Sequence, residues 1–362
     1  MSKKIIIAGG GTGGHIFPAI AIANALKKID DKIEILFVGA KGKMEMEKVP
    51  QAGYNIEGLA IAGFNRSSLI KNIGLPFKLI KSFFQVRRIF NTFKPIAVVG
   101  VGGYSSFPVL KYAQTRDIKT FIHESNSFAG KSNILLGKNA TKIFVATDGM
   151  EKFFKANKLK ITGNPVRKLI AENNISRTEA IEFFKLSPNK KTILSIGGSL
   201  GAKSINEAIN KYINEFEKNE LQLIWQTGKP YATTAQQTAK GRANIYTSDF
   251  ITNMEYAYAA ADLIISRSGA MAIAEICVAK KPTIFVPYPF AAEDHQTVNA
   301  ENLVNKSAAL TINDNEVLDK LVSSIIALSN NVEHQHTLKQ NIAKLAIINA
   351  DEVIANEILS VV

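Results

Sequence analysis

The fold of this chain is decided by the stretch Ile5-Ile6-Ile7-Ala8-Gly9-Gly10-Gly11-Thr12-Gly13-Gly14-His15. It begins with a short apolar run, which is typical of a buried parallel strand. The run passes into glycines and then into a helical stretch from Pro18 to Lys28. A strand, a glycine turn and a helix in this order open a βαβ unit, so an α/β fold is expected.

The same alternation of apolar runs and helical stretches continues along the chain and restarts after Gly163-Asn164-Pro165. It predicts two doubly wound, Rossmann-like domains, at 1–163 and 164–340. A last helical stretch covers about 332–362, and its pattern alone does not say which domain it joins. The further strands predicted are Ile33–Val38, Ile96–Val101, Thr120–Ile122, Lys142–Val145, Thr192–Ile196, Leu221–Gln226, Asn244–Thr247, Leu263–Ser266 and Thr283–Val286.

Length and composition agree with two globular domains. The chain has 362 residues, of which 46% are hydrophobic and 21% charged, which excludes a disordered or fibrous protein. Its single cysteine, Cys277, excludes an internal disulfide and fits a reducing compartment. A membrane-spanning helix requires a run of about 18 apolar residues, and the sequence contains no such run. A soluble, cytoplasmic protein is therefore expected.

The net charge of +13 is concentrated in one segment. From Gly58 to Arg116 there is no Asp or Glu, while phenylalanines and basic residues recur. Apolar side chains in this segment share one helical face at spacings of three and four, beside basic ones, as in a helix that lies on an anionic membrane. This predicted membrane face consists of Phe77, Lys78, Ile80, Lys81, Phe84, Arg87 and Arg88. Helix packing inside the first domain, or base stacking on nucleic acid, is the alternative.

Three glycine-rich turns connect predicted strands to helices. They are Gly9–Gly14, Gly100–Ser106 and Gly197–Ala202. Glycine lets the backbone approach a ligand closely, and the following helix points its free N–H groups at an anion. A single turn of this kind can use its glycines only to make a tight connection between strand and helix. Three such turns, distributed over both halves of the chain, favour a phosphate or diphosphate ligand.

Two other classes of phosphate site fit poorly. The first turn matches a dinucleotide fingerprint, but the second strand ends without the acid that would hold a ribose, since Glu34 lies at its start. This disfavours an NAD-dependent dehydrogenase. A P-loop motif is missing, which excludes P-loop nucleotidases.

Seven motifs occur in an order that resembles the MurG family, the bacterial peptidoglycan N-acetylglucosaminyltransferases. The resemblance runs from the first strand to about Asn302. The motifs are Gly10–His15, Gly102–Ser106, His123–Asn126, Gly163–Arg167, Gly197–Ala202, Arg267–Ala270 and Asp294–Gln296.

The resemblance implies a GT-B fold, in which two Rossmann-like domains face each other across a cleft, and a last helix, about 341–362, that returns to the first domain. It also implies an inverting enzyme at the cytoplasmic face of the cell membrane. Such an enzyme transfers N-acetylglucosamine from UDP-N-acetylglucosamine (UDP-GlcNAc) to the 4-hydroxyl of MurNAc in undecaprenyl-pyrophosphoryl-MurNAc-pentapeptide.

The family's functional positions map onto this sequence residue by residue. Ser199 matches a diphosphate contact, Ile251 a backbone contact to uracil, and Glu275 the carboxylate that binds the ribose hydroxyls. Gly102, Gly103, Tyr104 and Ser105 form the turn on the acceptor side. The remaining donor-binding positions are Thr12, Gly13, Gly14, Asn126, Arg167, Ala270, His295 and Gln296.

The transfer needs a base for the acceptor hydroxyl and stabilisation of the leaving diphosphate. His15 is the first candidate for the base, since an imidazole with a pKa of about 6.5 suits proton transfer near neutrality. His123 and Glu124 are reserve candidates, with a structural role the stronger interpretation for each. Neither an Asp-x-Asp motif nor metal-ligand spacing is present, so we expect no cofactor and no metal, with Ser199 and the helix starts after Gly198 and Gly269 in the metal's place.

The expected partners are UDP-GlcNAc, the lipid-linked acceptor and an anionic membrane surface, with no nucleic acid. Three other functions stay open at this point. One is a related GT-B transferase with another lipid acceptor, and the second is a UDP-GlcNAc epimerase. The third is a nucleotide-sugar binding protein without activity, which the presence of His15, Glu275 and Gln296 disfavours.

Overall fold

The computed structural model describes residues 3–63, 74–198 and 200–362. The chain divides into two compact units. Unit 1 comprises Met1–Val166 and Asn349–Val362, and unit 2 comprises Arg167–Ile348. The sequence had placed these divisions at 163 and about 340. Residues 64–73, part of the acid-free segment, and Ser199 lie outside the described residues.

Unit 1 is built on a parallel sheet of seven strands in the order β3-β2-β1-β4-β5-β6-β7. The strands are β1 (Lys4–Ala8), β2 (Glu34–Ala40), β3 (Asn55–Leu59), β4 (Ala97–Gly100), β5 (Lys119–Glu124), β6 (Lys142–Val145) and β7 (Leu159–Ile161). The helices that connect them are α1 (Gly13–Ile29), α2 (Glu45–Gln51), α3 (Leu75–Phe93), α4 (Ser106–Gln114) and α5 (Lys131–Gly137).

Unit 2 repeats this plan with six parallel strands in the order β10-β9-β8-β11-β12-β13. They are β8 (Lys191–Ile196), β9 (Leu221–Gln226), β10 (Ile245–Ser248), β11 (Leu263–Ser266), β12 (Thr283–Phe285) and β13 (Leu310–Thr311). The helices are α6 (Lys168–Ala171), α7 (Arg177–Phe183), α8 (Lys203–Lys211), α9 (Ile213–Lys218), α10 (Ala232–Ala239), α11 (Met254–Ala260), α12 (Ala270–Ala279), α13 (His295–Val304), α14 (Val317–Asn330) and α15 (Val332–Ala343). Both sheets have the Rossmann strand order, which confirms the predicted fold class.

The central strands are mostly apolar because both faces of each sheet are covered. In β1, Ile5 and Ile7 belong to one core cluster, while Ile6 and Ala8 belong to the cluster on the opposite face. Alternate residues of a strand point to opposite faces, so an unbroken apolar run supplies both cores. This is why the opening run of the sequence predicts its strand.

The last helix belongs to unit 1. It is α16 (Ala350–Leu359), and its fully buried Ile354, Ala355 and Ile358 share a core cluster with apolar residues of α1. The prediction of one continuous helix over about 332–362 is wrong, because α15 ends at Ala343. The chain breaks there since α15 packs in unit 2 through Ile342, whereas α16 completes the core of unit 1.

Candidate active site

Strand order brings the predicted turns together at the carboxyl edge of each sheet. In unit 1 the first and second glycine turns follow β1 and β4, which are neighbours. In unit 2 the third glycine turn follows β8, and Arg267-Ser268-Gly269 follows its neighbour β11. Both pairs lie where the strand order reverses, which is where open α/β sheets bind ligands.

His15 lies in the first turn of α1 and packs against both glycine turns of unit 1. Its Nδ1 is 3.1 Å from the carbonyl oxygen of Gly10 and 3.4 Å from Oγ1 of Thr12. A carbonyl only accepts, so Nδ1 carries the proton and Nε2 is the basic nitrogen of the neutral ring. A Cβ on Gly102 would lie 2.9 Å from Nε2 and Cδ2, so glycine there leaves room for the imidazole.

The other residues of these two turns support the backbone around His15. Thr12 is exposed and is the N-cap residue of α1, which Gly13 and Gly14 begin. In the second turn, Ser106 donates its N–H and its hydroxyl to the carbonyl of Gly103, at 3.3 and 2.7 Å. Ser105 is buried and Tyr104 half-buried. Not every N–H here faces a ligand, because Gly11 donates its own to a carboxylate of the protein, that of Glu45.

His123 is the penultimate residue of β5 and is fully buried. Its Nε2 is 3.4 Å from the carbonyl oxygen of Gly163, and its Nδ1 is 3.5 Å from the Ser125 hydroxyl. Burial lowers the pKa of His123 to about 4, against a smaller opposing effect of the Gly163 hydrogen bond. The imidazole is therefore neutral at physiological pH and holds β5 beside the end of unit 1's last strand.

Glu124 organises the loop that follows β5. Its Oε1 accepts from the backbone N–H and the side-chain amide of Asn126, at 3.1 and 3.4 Å. Its Oε2 accepts from the N–H of Gly130 at 3.0 Å and from the amide of Asn133 at 2.8 Å. A carboxylate with four donors is a loop anchor, and this supports the structural interpretation of Glu124 over its use as the base.

In unit 2, Gln226 connects the third glycine turn to the loop that contains Ile251. Its amide nitrogen donates to the carbonyl of Gly198 at 3.0 Å, and its amide oxygen accepts from the N–H of Ile251 at 3.1 Å. The Ile251 side chain is buried, so the backbone of this residue is the part that a ligand could contact, and its uracil contact stays a prediction. No sequence motif marked Gln226.

Two predicted donor-binding residues form an ion pair with each other. Arg167 donates from Nε and from one terminal nitrogen to the two oxygens of Glu275, at 2.7 and 2.9 Å. The hydroxyl of the buried Tyr258 donates to Glu275 at 3.1 Å. Burial works to lower the pKa of Arg167, but the hydrogen bond and charge of Glu275 outweigh it, so this pKa is raised. The side chain of Arg167 remains 43% exposed, so a ligand can reach it.

The remaining unit 2 motifs converge at the start of α12. The Ser268 hydroxyl donates to the carbonyl of Gln296 at 2.7 Å, while the Gln296 amide oxygen accepts from the N–H of Tyr288 at 3.0 Å. Ala270 is the first residue of α12, after the N-cap Gly269. His295 begins α13, and its Nδ1 is 2.5 Å from the carbonyl oxygen of Ala292.

Arg267 has a structural role in unit 2. Its guanidinium donates to the carbonyls of Val286 and Pro287, to Asp314 and to the hydroxyl of Ser204. These partners follow β12 and β13 or lie on α8. One half-buried cation thus joins three connections at the carboxyl edge of the sheet.

The predicted membrane face is exposed on α3. Phe77, Ile80 and Phe84 are 75%, 56% and 66% exposed. Lys78, Lys81, Arg87 and Arg88 are also exposed, while Ser82, Val86 and Phe90 are buried on the other side of the helix. Apolar side chains are thus placed in solvent among exposed basic groups, contrary to the core interpretation for these three residues.

Within residues 3–63, 74–198 and 200–362, no three His, Cys, Asp or Glu side chains are grouped as metal ligands.

Cys277 is buried, which raises the pKa of its thiol to about 12. In the same residues no helix combines the length and hydropathy that crossing a membrane demands.

Comparison with known proteins identifies the family. Residues 5–145 match the glycosyltransferase family 28 N-terminal domain, and residues 192–357 match its C-terminal domain. A relative from Phocaeicola vulgatus is 52% identical, covering 98% of this chain and 95% of its own length. Its name is UDP-N-acetylglucosamine–N-acetylmuramyl-(pentapeptide) pyrophosphoryl-undecaprenol N-acetylglucosamine transferase. The chain belongs to the MurG family.

Other MurG proteins extend this finding. A relative of the same name from Parabacteroides distasonis is 49% identical over 99% of this chain and 98% of its own. The crystal structure of MurG from Acinetobacter baumannii matches with a TM-score of 0.81 and 29% identity, over 99% of both chains. A UDP-GlcNAc 2-epimerase from Neisseria meningitidis, at 15% identity and a TM-score of 0.68, shares the fold alone. The chain is thus a glycosyltransferase with the GT-B fold.

Proposed function

We propose that this enzyme transfers N-acetylglucosamine from UDP-GlcNAc to the 4-hydroxyl of MurNAc in undecaprenyl-pyrophosphoryl-MurNAc-pentapeptide. The observation that carries the proposal is identity of 45–52% over nearly the full chain with relatives named for this reaction. It favours this acceptor over another lipid and disfavours epimerisation. The product is the β-1,4-linked, lipid-linked disaccharide precursor of peptidoglycan, with UDP released.

His15 is the proposed base. The acceptor hydroxyl loses its proton to Nε2 as its oxygen bonds to C1 of the donor sugar. The bond from C1 to the diphosphate breaks, and UDP leaves with the electron pair. The Gly10 carbonyl on Nδ1 supports this role, because it fixes the ring and stabilises the imidazolium that forms.

The donor is held by unit 2 in this proposal, with Thr12, Gly13, Gly14 and Asn126 contributing as the family resemblance assigns them. When the donor binds, Glu275 accepts hydrogen bonds from the ribose hydroxyls. Arg167 then leaves the Glu275 carboxylate and binds the negatively charged diphosphate. The exposure of Arg167 and the second anchor of Glu275 on Tyr258 support such an exchange. Gln296 and His295 contact the donor sugar, and the backbone of Ile251 contacts uracil.

No metal is required in this proposal. The charge that develops on the leaving diphosphate is stabilised by Ser199 and by the N-termini of α8 and α12, where backbone N–H groups and the helix dipole favour an anion.

The enzyme is proposed to work at the cytoplasmic face of the cell membrane, held there reversibly by the membrane face of α3. Three exposed apolar side chains and four exposed basic ones on one helix support this attachment. The polyprenyl chain of the acceptor requires the same location. Nucleic acid is not a proposed partner.

The deciding measurement is UDP release from UDP-GlcNAc, with and without a short-chain analogue of the lipid-linked acceptor. We expect release that depends on the analogue, a disaccharide product, and unchanged turnover in EDTA. UDP binding without turnover on this analogue would refute the acceptor, and loss of turnover in EDTA would refute the metal-free mechanism.

A further inference from the structure

A buried carboxylate lies directly behind the first glycine turn. Glu45, the first residue of α2, is only 1% exposed. Its Oε2 accepts from the N–H of Gly11 at 2.9 Å, and its Oε1 accepts from the N–H of Ala40 at 2.9 Å. One side chain therefore ties the turn after β1 to the end of β2.

The backbone closes tightly over this carboxylate. A Cβ on Gly10 would lie 2.4 Å from the carboxyl carbon of Glu45, and one on Gly39 would lie 2.5 Å from its Cγ. Gly10 also has a φ of +143°, which other residues rarely adopt. The conformation of the turn and the position of Glu45 therefore depend on each other.

The hydrogen bond to Gly11 connects Glu45 to His15 through a single peptide group. The N–H of Gly11 and the C=O of Gly10 belong to the same peptide unit, which is trans and therefore points them in opposite directions. Glu45 accepts from the N–H at one end, and the C=O at the other end accepts from Nδ1 of His15 at 3.1 Å. The carboxylate, the peptide and the imidazole form one hydrogen-bonded chain.

A chain of this kind strengthens its own members. A carboxylate on the N–H of an amide polarises that amide, so its carbonyl oxygen becomes a better acceptor. A better acceptor on Nδ1 favours the tautomer with the proton there and stabilises the imidazolium. Burial of a carboxylate costs free energy unless hydrogen bonds compensate it, and here the N–H groups of Gly11 and Ala40 do so. An apolar side chain in this space would leave both N–H groups without this acceptor. The field of Glu45 also reaches the second turn, where burial raises the pKa of Tyr104 and the charge of Glu45 raises it further.

We propose that Glu45 is the positioning residue of His15: through the Gly10–Gly11 peptide it fixes the imidazole with Nδ1 protonated and Nε2 ready to accept the proton of the acceptor hydroxyl. This inference rests on the proposed role of His15 as the base. Glu45 itself touches no substrate, and its effect on turnover passes through the ring it holds.

The kinetic test compares Glu45→Gln with Glu47→Gln, a control on the same helix whose side chain is exposed and paired with Lys48. An amide cannot accept from both N–H groups, since one of its ends is a donor. We expect kcat of Glu45→Gln to fall about tenfold to a hundredfold, while KM for UDP-GlcNAc and the affinity for UDP change by much less than kcat. Glu47→Gln should match the wild type.

A double variant separates positioning from a general loss of structure. In a His15→Ala background, Glu45→Gln should lower kcat no further, because the ring it orients is gone. Glu45→Asp, which keeps the charge but is one methylene shorter, should behave like Glu45→Gln and serves if the latter does not fold. An equal fall of kcat in both backgrounds, or none in either, would overturn the proposal.

Nitrogen NMR of histidine-labelled enzyme tests the positioning without using activity. The two ring nitrogens of His15, assigned with His15→Ala, should report a single Nδ1-protonated tautomer in the wild type and a mixture in Glu45→Gln. If the tautomer does not change, the positioning is wrong whatever the base is. If it changes but His15→Ala retains its kcat, the positioning stands and the base assignment fails.

Discussion

Gln226 shows how one buried side chain can set the affinity for a ligand. It donates to Gly198 in the third glycine turn and accepts from Ile251 in the proposed uracil loop. A glutamate in its place keeps the second bond but faces the Gly198 carbonyl with a negative oxygen. We therefore expect Gln226→Glu to raise KM for UDP-GlcNAc about tenfold, which corresponds to ~1.4 kcal/mol, with kcat little changed. Steady-state kinetics with varied donor checks this.

Gln222 provides the control for that prediction. It lies on the same strand and is equally buried, but its amide bonds Ser187 and Thr192 at the opposite end of the sheet. Gln222→Glu should lower the melting temperature and leave KM unchanged. If both variants raise KM alike, Gln226 stabilises unit 2 in general and has no special link to the donor.

The sequence predicts those site residues that belong to recognisable turns and misses those behind them. His15 stands in a glycine-rich motif, and the structure finds it against both turns of unit 1. Glu45 and Gln226 are single polar residues in an ordinary helix and strand, and they become significant only through contacts with loops distant in the chain. Neither periodicity nor spacing carries that information.

At the scale of elements, α3 departs from ordinary burial. Its outer side combines apolar and basic residues, and each cation near an anionic leaflet contributes ~1 kcal/mol. We therefore expect Lys81→Gln and Arg88→Gln each to weaken binding to phosphatidylglycerol vesicles about fivefold, as measured by co-sedimentation. Phe84→Ser should weaken it as well.

Lys240→Gln, an exposed lysine of unit 2, is the matched control and should bind like the wild type. Equal binding of the wild type to neutral and to anionic vesicles would contradict the role of the basic residues. Loss of vesicle binding in Lys240→Gln would show that net charge, and not α3, is responsible.

The strands show where a sequence pattern stops being informative. The inner strands were predicted because they are mostly apolar, as in Lys142–Val145 and Leu221–Gln226. β3, β7 and β13 were not predicted. All three lie at sheet edges and are short or partly exposed, so polar residues such as Asn55 and Lys160 interrupt their apolar pattern. The break after α15 was missed because neither glycine nor proline marks it.

At the scale of the whole molecule, the stability of unit 1 depends on residues from both ends of the sequence. Ile354 and Ile358 are fully buried beside α1, and Glu357 forms ion pairs with Lys142 and Lys160. We expect Ile358→Ala to destabilise unit 1 by about 2–5 kcal/mol, as a cavity in a packed core does. Thermal denaturation measures this, with Ile348→Ala as the control, since Ile348 is 59% exposed. Equal melting temperatures for the two variants would show that α16 adds little to the core.

The position of α16 also fixes the order in which the enzyme can fold during its synthesis. Every other element of unit 1 is translated before Arg167, but α16 is translated only after all of unit 2. At about 5–20 residues per second, this delay is on the order of ten seconds or more. Throughout that time the face of α1 that α16 will cover has no partner and is open to chaperones or to aggregation. Unit 1 is therefore translated first but completes its core last.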